Sequence, residues 1–185
     1  MAGEKIILGI DPGTTIMGYG IIKVSDNKPQ LLAIGVLELH KWKDHFIKLQ
    51  RIFDRTIQLI DDFSPDDLAI EAPFYGKNIQ SMLKLGRAQG AAIAAALSRT
   101  LPVFEYAPRK IKMSITGQGS ASKDQVAAML QAMFRSDELP KKLDATDGLA
   151  VAVCHFFQKK TATQTGKTGS WKTFISQNPE RVKGR

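Results

Sequence analysis

Lys5 to Tyr19 reads KIILGIDPGTTIMGY, and the reading of this stretch decides the fold. The apolar run Ile6-Ile7-Leu8-Gly9-Ile10 ends on Asp11, Pro12-Gly13 turns the chain, and a second apolar run begins near Met17. A short apolar run closed by turn residues is the pattern of a strand buried on both faces. Asp11 therefore stands where a central strand leaves the core. A carboxylate there is either a turn-former ahead of Pro-Gly or a metal ligand held by a rigid strand. The second reading gains only if other carboxylates reach the same place.

Outward from this stretch, residues 5–10, 17–24 and 31–39 read as three strands joined by short turns, and so as an antiparallel meander. Apolar residues at helical spacing (Phe46, Leu49, Ile52, Phe53, Ile57, Ile60) predict a helix from His45 to Phe63, stopped by Ser64-Pro65. Leu68-Ala69-Ile70 is a fourth strand, and it too ends on an acid, Glu71, ahead of Ala72-Pro73. A helix over 78–99 follows. Its later part, residues 88–97, is small and apolar nearly all round, which predicts burial on more than one side or packing on a partner, with Ala92 or Ala95 facing that partner. A fifth strand spans 101–106, and Pro108 opens a short helix to Ile115. Ser122 with Gln125 forms a capping-box pattern for a helix to Phe134, and the last helix covers 144–158. This order implies one mixed five-stranded α/β sheet flanked by helices.

Composition sets the outer limits. The 185 residues are 43% apolar and 24% charged, ordinary for a globular protein with one domain and a sizeable core. The single cysteine, Cys154, excludes a disulfide framework and a thiolate zinc site; among Val153, Phe156 and Phe157 it reads as a small buried hydrophobe. No stretch approaches the roughly 18 apolar residues of a membrane span, and no signal-peptide core is present, so a cytoplasmic protein is expected. Of the net charge of +8, residues 159–185 supply the larger part, with seven Lys/Arg against Glu180. They read as a basic, disordered tail beyond a folded domain of residues 1–158. Lys77 to Lys123 forms a second cationic segment, eight Lys/Arg against Glu105. Its two readings are a polyanion-binding face and a solvated surface.

Asp11 and Glu71 end strands where the chain leaves the core. If those strands are parallel neighbours, both carboxylates lie at one sheet edge. The last helix adds Asp144 and Asp147, three residues apart on one face. Helix capping explains Asp144 well and Asp147, further in, less well. Four converging carboxylates need cations to neutralise them, and oxygen-only ligands suit Mg²⁺ or Mn²⁺. Two such ions about 4 Å apart suit in-line phosphoryl displacement, one activating water and the other stabilising the leaving oxygen. With a cationic segment to hold nucleic acid, a nuclease is the economical reading.

The segments IILGIDPGTTIMGYG, AIEAPFYGKN, LKLGRAQGAAIAAAL, VFEYAPRKIK, GQGSASKDQV and DATDGLAVAVCH occur in that order across residues 5–157. Together they resemble the RuvC family of bacterial Holliday junction resolvases. The resemblance implies a ribonuclease-H-like fold, a homodimer, and Mg²⁺-dependent cutting of four-way DNA junctions by paired nicks in recombination and repair. It places the metal-binding acids at Asp11, Glu71, Asp144 and Asp147, and implies the RuvA–RuvB branch-migration complex as a partner. Phe74 matches an aromatic that the family uses near the junction centre; its alternative is core packing. Lys112 and Lys123 match basic residues held near the scissile phosphate, with solvated surface as their alternative. Lys77 and Asn78 follow Phe74 towards the DNA backbone, and Lys84 and Arg87 would flank a dimer interface on the 88–97 run. The sequence departs from the family at Ala72-Pro73, which stiffens the path to Phe74, at Gly148 inside the last helix, and in the tail.

Two rival readings remain. Ile10-Asp11-Pro12-Gly13-Thr14-Thr15 resembles the phosphate loop of actin-like sugar kinases and Hsp70-type ATPases, which need a second lobe and a second glycine-rich loop not seen here. The other rival is a basic DNA-binding module whose acids are structural.

Overall fold

The computed structural model describes residues 4–73, 78–134 and 143–165, with backbone alone for residue 143 and residues 159–165. The chain runs β1 (Lys5–Asp11), β2 (Ile16–Ser25), β3 (Lys28–Glu38), α1 (His45–Phe63), β4 (Asp67–Glu71), α2 (Ile79–Ser98), β5 (Val103–Tyr106), α3 (Pro108–Thr116), α4 (Lys123–Phe134) and α5 (Leu143–Thr165). The strands form one sheet in the order β3-β2-β1-β4-β5. β1 to β3 make the expected antiparallel meander, and β4 and β5 add to it in parallel with β1.

Local chemistry explains most boundaries. Asp26 and Asn27 both take positive φ, 52° and 61°. They form a two-residue hairpin loop of the mirror-image kind that matches strand twist, so β3 begins at Lys28, earlier than the Pro29-containing sequence suggested. Asp44 caps α1 by accepting from the Phe46 and Ile47 N–H groups at 2.7 and 3.1 Å. Ser64 ends it in the left-handed conformation, its N–H donating to the Ile60 carbonyl at 2.8 Å. The capping box before α4 is reciprocal: the Ser122 N–H donates to Gln125 Oε1 and the Gln125 N–H to Ser122 Oγ.

Alternation along the strands divides the core into two layers. Leu8, Ile10, Ile21, Leu68 and Ile70 pack with Ile52, Leu59, Ala88, Ala92 and Ala96 of α1 and α2. Ile7, Ile22 and Ala69 face the other way, against α5 and, beyond it, α3 and α4. Residues Leu149 to Phe156 of α5 are buried throughout, Cys154 among them. Glycines let α5 lie directly on the sheet. A Cβ on Gly148 would stand 2.5 Å from the Tyr19 N, one on Gly9 2.5 Å from the Ala152 N, and one on Gly20 2.7 Å from the Leu149 N. Gly148, which looked unfavourable in a helix interior, is thus the residue that permits this contact.

Two expectations change. Ala92 and Ala95 are fully buried within the chain's own core and face no partner. The outward positions of α2 are Leu83, Arg87, Gly90, Ala94 and Leu97. And α5 continues past 158 to Thr165. A helix already nucleated propagates through Thr, Ala and Gln. Residues 166–185, with Trp171, lie outside the described residues.

A carboxylate cluster as candidate active site

Ile10 and Ile70 are register partners in the parallel pair β1–β4. The acids that follow them, Asp11 and Glu71, are therefore neighbours at the carboxyl edge of the sheet, on the face covered by α5. The start of α5 brings Asp147 to them. Asp11, Glu71 and Asp147 line one cleft of about 80 Å³ with Lys112 of α3 and Lys123 of α4, walled by Pro108, Ile111, Val126 and Ala150. Asp144 is one turn earlier on α5 and stands at the rim, 45% exposed, with its Oδ1 3.7 Å from Lys123 Nζ. Lys123 Nζ also donates to Asp147 Oδ2 at 2.5 Å.

The electrostatics of this cleft are those of acids short of cations. Burial raises the Asp11 carboxyl to about 7; the Asp147 and Asp144 charges add to the rise, and Lys123 opposes it. Burial likewise raises Glu71 to about 8, with Asp11 and Asp147 adding and Lys123 and Lys112 opposing. Burial alone would lower the Lys123 ammonium, but its hydrogen bond to Asp147 and the charges of Asp147, Asp11 and Asp144 outweigh burial and raise it. Among the described residues no three His, Cys, Asp or Glu side chains stand arranged to hold a metal ion; Lys123 is the cation between the acids. The donor set nevertheless fits a hard divalent ion. It is all oxygen, and two of its acids are driven towards their neutral forms by burial first and by their neighbours' negative charge second.

Supporting contacts absent from the sequence reading fix the cluster. Gln89, the polar residue in the small apolar run of α2, donates from Nε2 to the Glu71 carbonyl at 3.1 Å and to Glu105 Oε2 at 2.7 Å. Its isolation in that run was the available signal. Lys48 donates to the Thr14 carbonyl at 3.0 Å and holds the turn after Asp11; no sequence pattern marks it. Ala72 N–H donates to the Tyr106 carbonyl at 2.9 Å, so β4 stays paired up to the stiff Ala72-Pro73 step.

The other expected DNA contacts divide. Asn78 caps α2, its Oδ1 accepting from the Ser81 N–H at 3.1 Å. Lys84 and Arg87 are exposed on α2 and, with Lys48, help hold the His45 imidazole below its usual range, after burial as the first cause. These two cations therefore sit beside the α1 N-terminus rather than in the acidic cleft. Phe74 and Lys77 lie outside the described residues. No helix among the described residues is long and apolar enough to cross a membrane.

A mixed sheet of this order, with acids ending its two central parallel strands and opening the helix laid across them, defines a ribonuclease-H-like protein with a carboxylate-centred site. The family model of crossover junction endodeoxyribonuclease RuvC matches residues 7–155. The RuvC of Christiangramia forsetii is 59% identical over 99% of this chain and 95% of its own length. The structure of T. thermophilus RuvC in complex with Holliday junction substrate is 31% identical, with a TM-score of 0.79, over 86% of this chain and 97% of that one. The yeast mitochondrial Holliday junction resolvase shares the fold, with a TM-score of 0.63 at 14% identity. The chain belongs to the RuvC family of crossover junction endodeoxyribonucleases. Membership makes it a nuclease of the recombination and repair class and implies a divalent metal cofactor.

Proposed function

We propose that this chain resolves four-way DNA junctions through two Mg²⁺ ions, with Mn²⁺ as a functional substitute, held by Asp11, Glu71, Asp144 and Asp147. The observation that carries the reading is the meeting of Asp11, Glu71 and Asp147 with Lys112 and Lys123 in one cleft, in a chain of this family. When bound, the ions supply Lewis-acid activation of water and neutralisation of the leaving oxygen. The chain's own residues do the rest. Glu71 and Asp11 are set by strand register, and the glycine-mediated contact lays α5 close enough to the sheet for Asp147 to join them. Lys112 and Lys123 reach the same cleft and stabilise charge that develops on the phosphate. With ions bound by the acids, the Lys123 ammonium, which here pairs with Asp147, would be free to stabilise the phosphate. Phe74, Lys77 and Asn78 are assigned to junction contact on the family resemblance, and Lys84 and Arg87 carry DNA backbone further out.

Two opposed strands must be cut to resolve a junction, and a two-fold dimer supplies two identical sites. Leu83, Gly90 and Leu97 recur every seven residues on the outward side of α2, with Leu83 51% and Leu97 60% exposed. Around Gly86 and Gly90 the space a side chain would take is open. A second copy of the same helix would cover this stripe closely. Residues 1–158 form the nuclease domain and the basic tail tethers DNA, in a cytoplasmic enzyme working with RuvA–RuvB.

The test is cutting of a synthetic four-way junction after chelation and re-addition of Mg²⁺, beside an ATPase assay. Metal-restored paired nicking without ATP hydrolysis is expected. Metal-independent cutting, or binding without cutting, would overturn the reading, the latter in favour of a DNA-binding module.

A further inference from the structure

A second polar cluster lies under α5, where β1 and β4 begin, and the Tyr106 side chain reaches it from the acid end of β5, where Tyr106 is the register partner of Glu71. His155 is fully buried. Its Nε2 is 2.8 Å from Asp67 Oδ2, its Nδ1 2.6 Å from the Tyr106 hydroxyl, and its ring centroid 4.5 Å from that of Phe104. Lys5 pairs with the same Asp67 oxygen. Burial, with the Cys154 and Asp67 charges, pushes the Tyr106 hydroxyl up to about 12. An ionised Asp67 can only accept, so the 2.8 Å contact places the proton on Nε2 and leaves Nδ1 facing the Tyr106 hydroxyl.

The elements that carry Lys5, Asp67 and His155 are those that carry the acids. Lys5 opens β1 and Asp11 closes it; Asp67 opens β4 and Glu71 closes it; His155 lies two turns along α5 from Asp147. Asp67, Ala69 and Glu71 share one face of β4, as Lys5, Ile7, Gly9 and Asp11 share the same face of β1. The lengths match. Eight residues of helix from Asp147 to His155 span about 12 Å, and four residues of strand from Asp67 to Glu71 span about 13 Å. Fixing His155 over Asp67 therefore brings Asp147 over Glu71.

Between the two ends α5 rests on small residues, Gly9 and Ala69 beneath Gly148 and Ala152. Such contact holds the helix close but resists sliding weakly, because apolar burial is non-directional. Hydrogen bonds are directional. We propose that Asp67, His155 and Tyr106 are positioning residues: their buried hydrogen-bonded chain sets where α5 stands along β1 and β4, and so sets the spacing of Asp144 and Asp147 from Asp11 and Glu71. The inference rests on the four acids being the metal site.

The experiment measures Mn²⁺ binding to the folded protein by electron paramagnetic resonance of the free ion, well below the melting temperature, with single-turnover junction cutting at saturating DNA. Tyr106→Phe removes one hydroxyl and keeps the ring; His155→Phe fills the space and breaks both bonds; Asp67→Asn keeps an acceptor for Nε2–H. Tyr106→Phe and His155→Phe are expected to weaken Mn²⁺ binding and slow cutting about 10- to 100-fold, the range for small misplacements in a catalytic constellation. Junction affinity without metal stays unchanged, and Asp67→Asn retains Mn²⁺ affinity where Asp67→Leu loses it. If both Phe variants only melt lower while binding Mn²⁺ and cutting as the wild type does, the chain is mere core structure and the proposal falls. If the wild type itself binds no Mn²⁺ and cuts nothing, the metal-site reading falls, and this one with it.

Discussion

Without metal, folding raises the proton affinity of Asp11 and Glu71. Their ordinary values, 3.8 and 4.5, rise to about 7 and about 8 on folding, chiefly through burial. Their contribution to stability is intact below the unfolded values and is lost as pH climbs through the folded ones. Without divalent ions, melting temperature should therefore fall as pH rises from about 5 to 8, and Mg²⁺, which favours the ionised acids, should remove most of that fall. Scanning calorimetry with and without Mg²⁺ checks this; a pH slope that Mg²⁺ leaves untouched would separate these acids from the metal. Asp11→Asn, Glu71→Gln and Asp147→Asn should each nearly abolish cutting and spare junction binding. Lys123→Ala should lower the cutting rate more than junction affinity, by about 10²–10³ for loss of one charge-stabilising donor. Of this site, the acids were legible because each ends an apolar run or opens an apolar helix. The partners of Gln89 and Lys48 were not, because the Glu71 and Thr14 carbonyls and the Glu105 carboxylate stand 18, 34 and 16 residues away, and nothing in local spacing encodes such a pairing.

At the scale of the element, α5 is the part with the least tolerance. Gly148→Ala would drive a Cβ into the backbone of β2, with 2.5 Å to the Tyr19 N and 2.6 Å to the Gly18 C. Helix propensity alone favours Ala by about 1 kcal/mol, yet overpacking of this kind costs typically 1–3 kcal/mol, so net destabilisation is expected in a denaturant melt. Cutting should fall with it, because the shift acts one residue from Asp147. A stabilised Gly148→Ala would mean that α5 does not rest on β2 as described. The strand and helix types were legible from periodicity, and the end of α1 from Ser64-Pro65. The true outward face of α2 was not. Residues 88–97 are small on every side, so periodicity there cannot tell which alanines the chain covers itself. The structure turns Ala92 and Ala95 inward and leaves Leu83 and Leu97 outside. The test of the proposed dimer moves accordingly: Leu83→Glu or Leu97→Glu should give monomers by light scattering with little loss of stability, and a dimer that persists would use another surface.

At the scale of the whole molecule, charge and symmetry decide how the chain meets DNA. Residues 166–185 hold five Lys/Arg and one acid. Their deletion should weaken non-specific DNA binding and flatten its salt dependence by about 0.9 in log–log slope per lost phosphate contact, while leaving cutting at saturating junction intact. Loss of catalysis on that deletion would give the tail a role at the site. Symmetry carries the central claim, that each subunit has one carboxylate centre and cuts one strand. It is tested most directly by a mixed dimer with Asp11→Asn in a single subunit, given one labelled four-way junction in Mg²⁺ and read strand by strand within one binding event. The account predicts one nick, on the strand facing the wild-type subunit, and a junction left unresolved. Paired nicks from that dimer would contradict it.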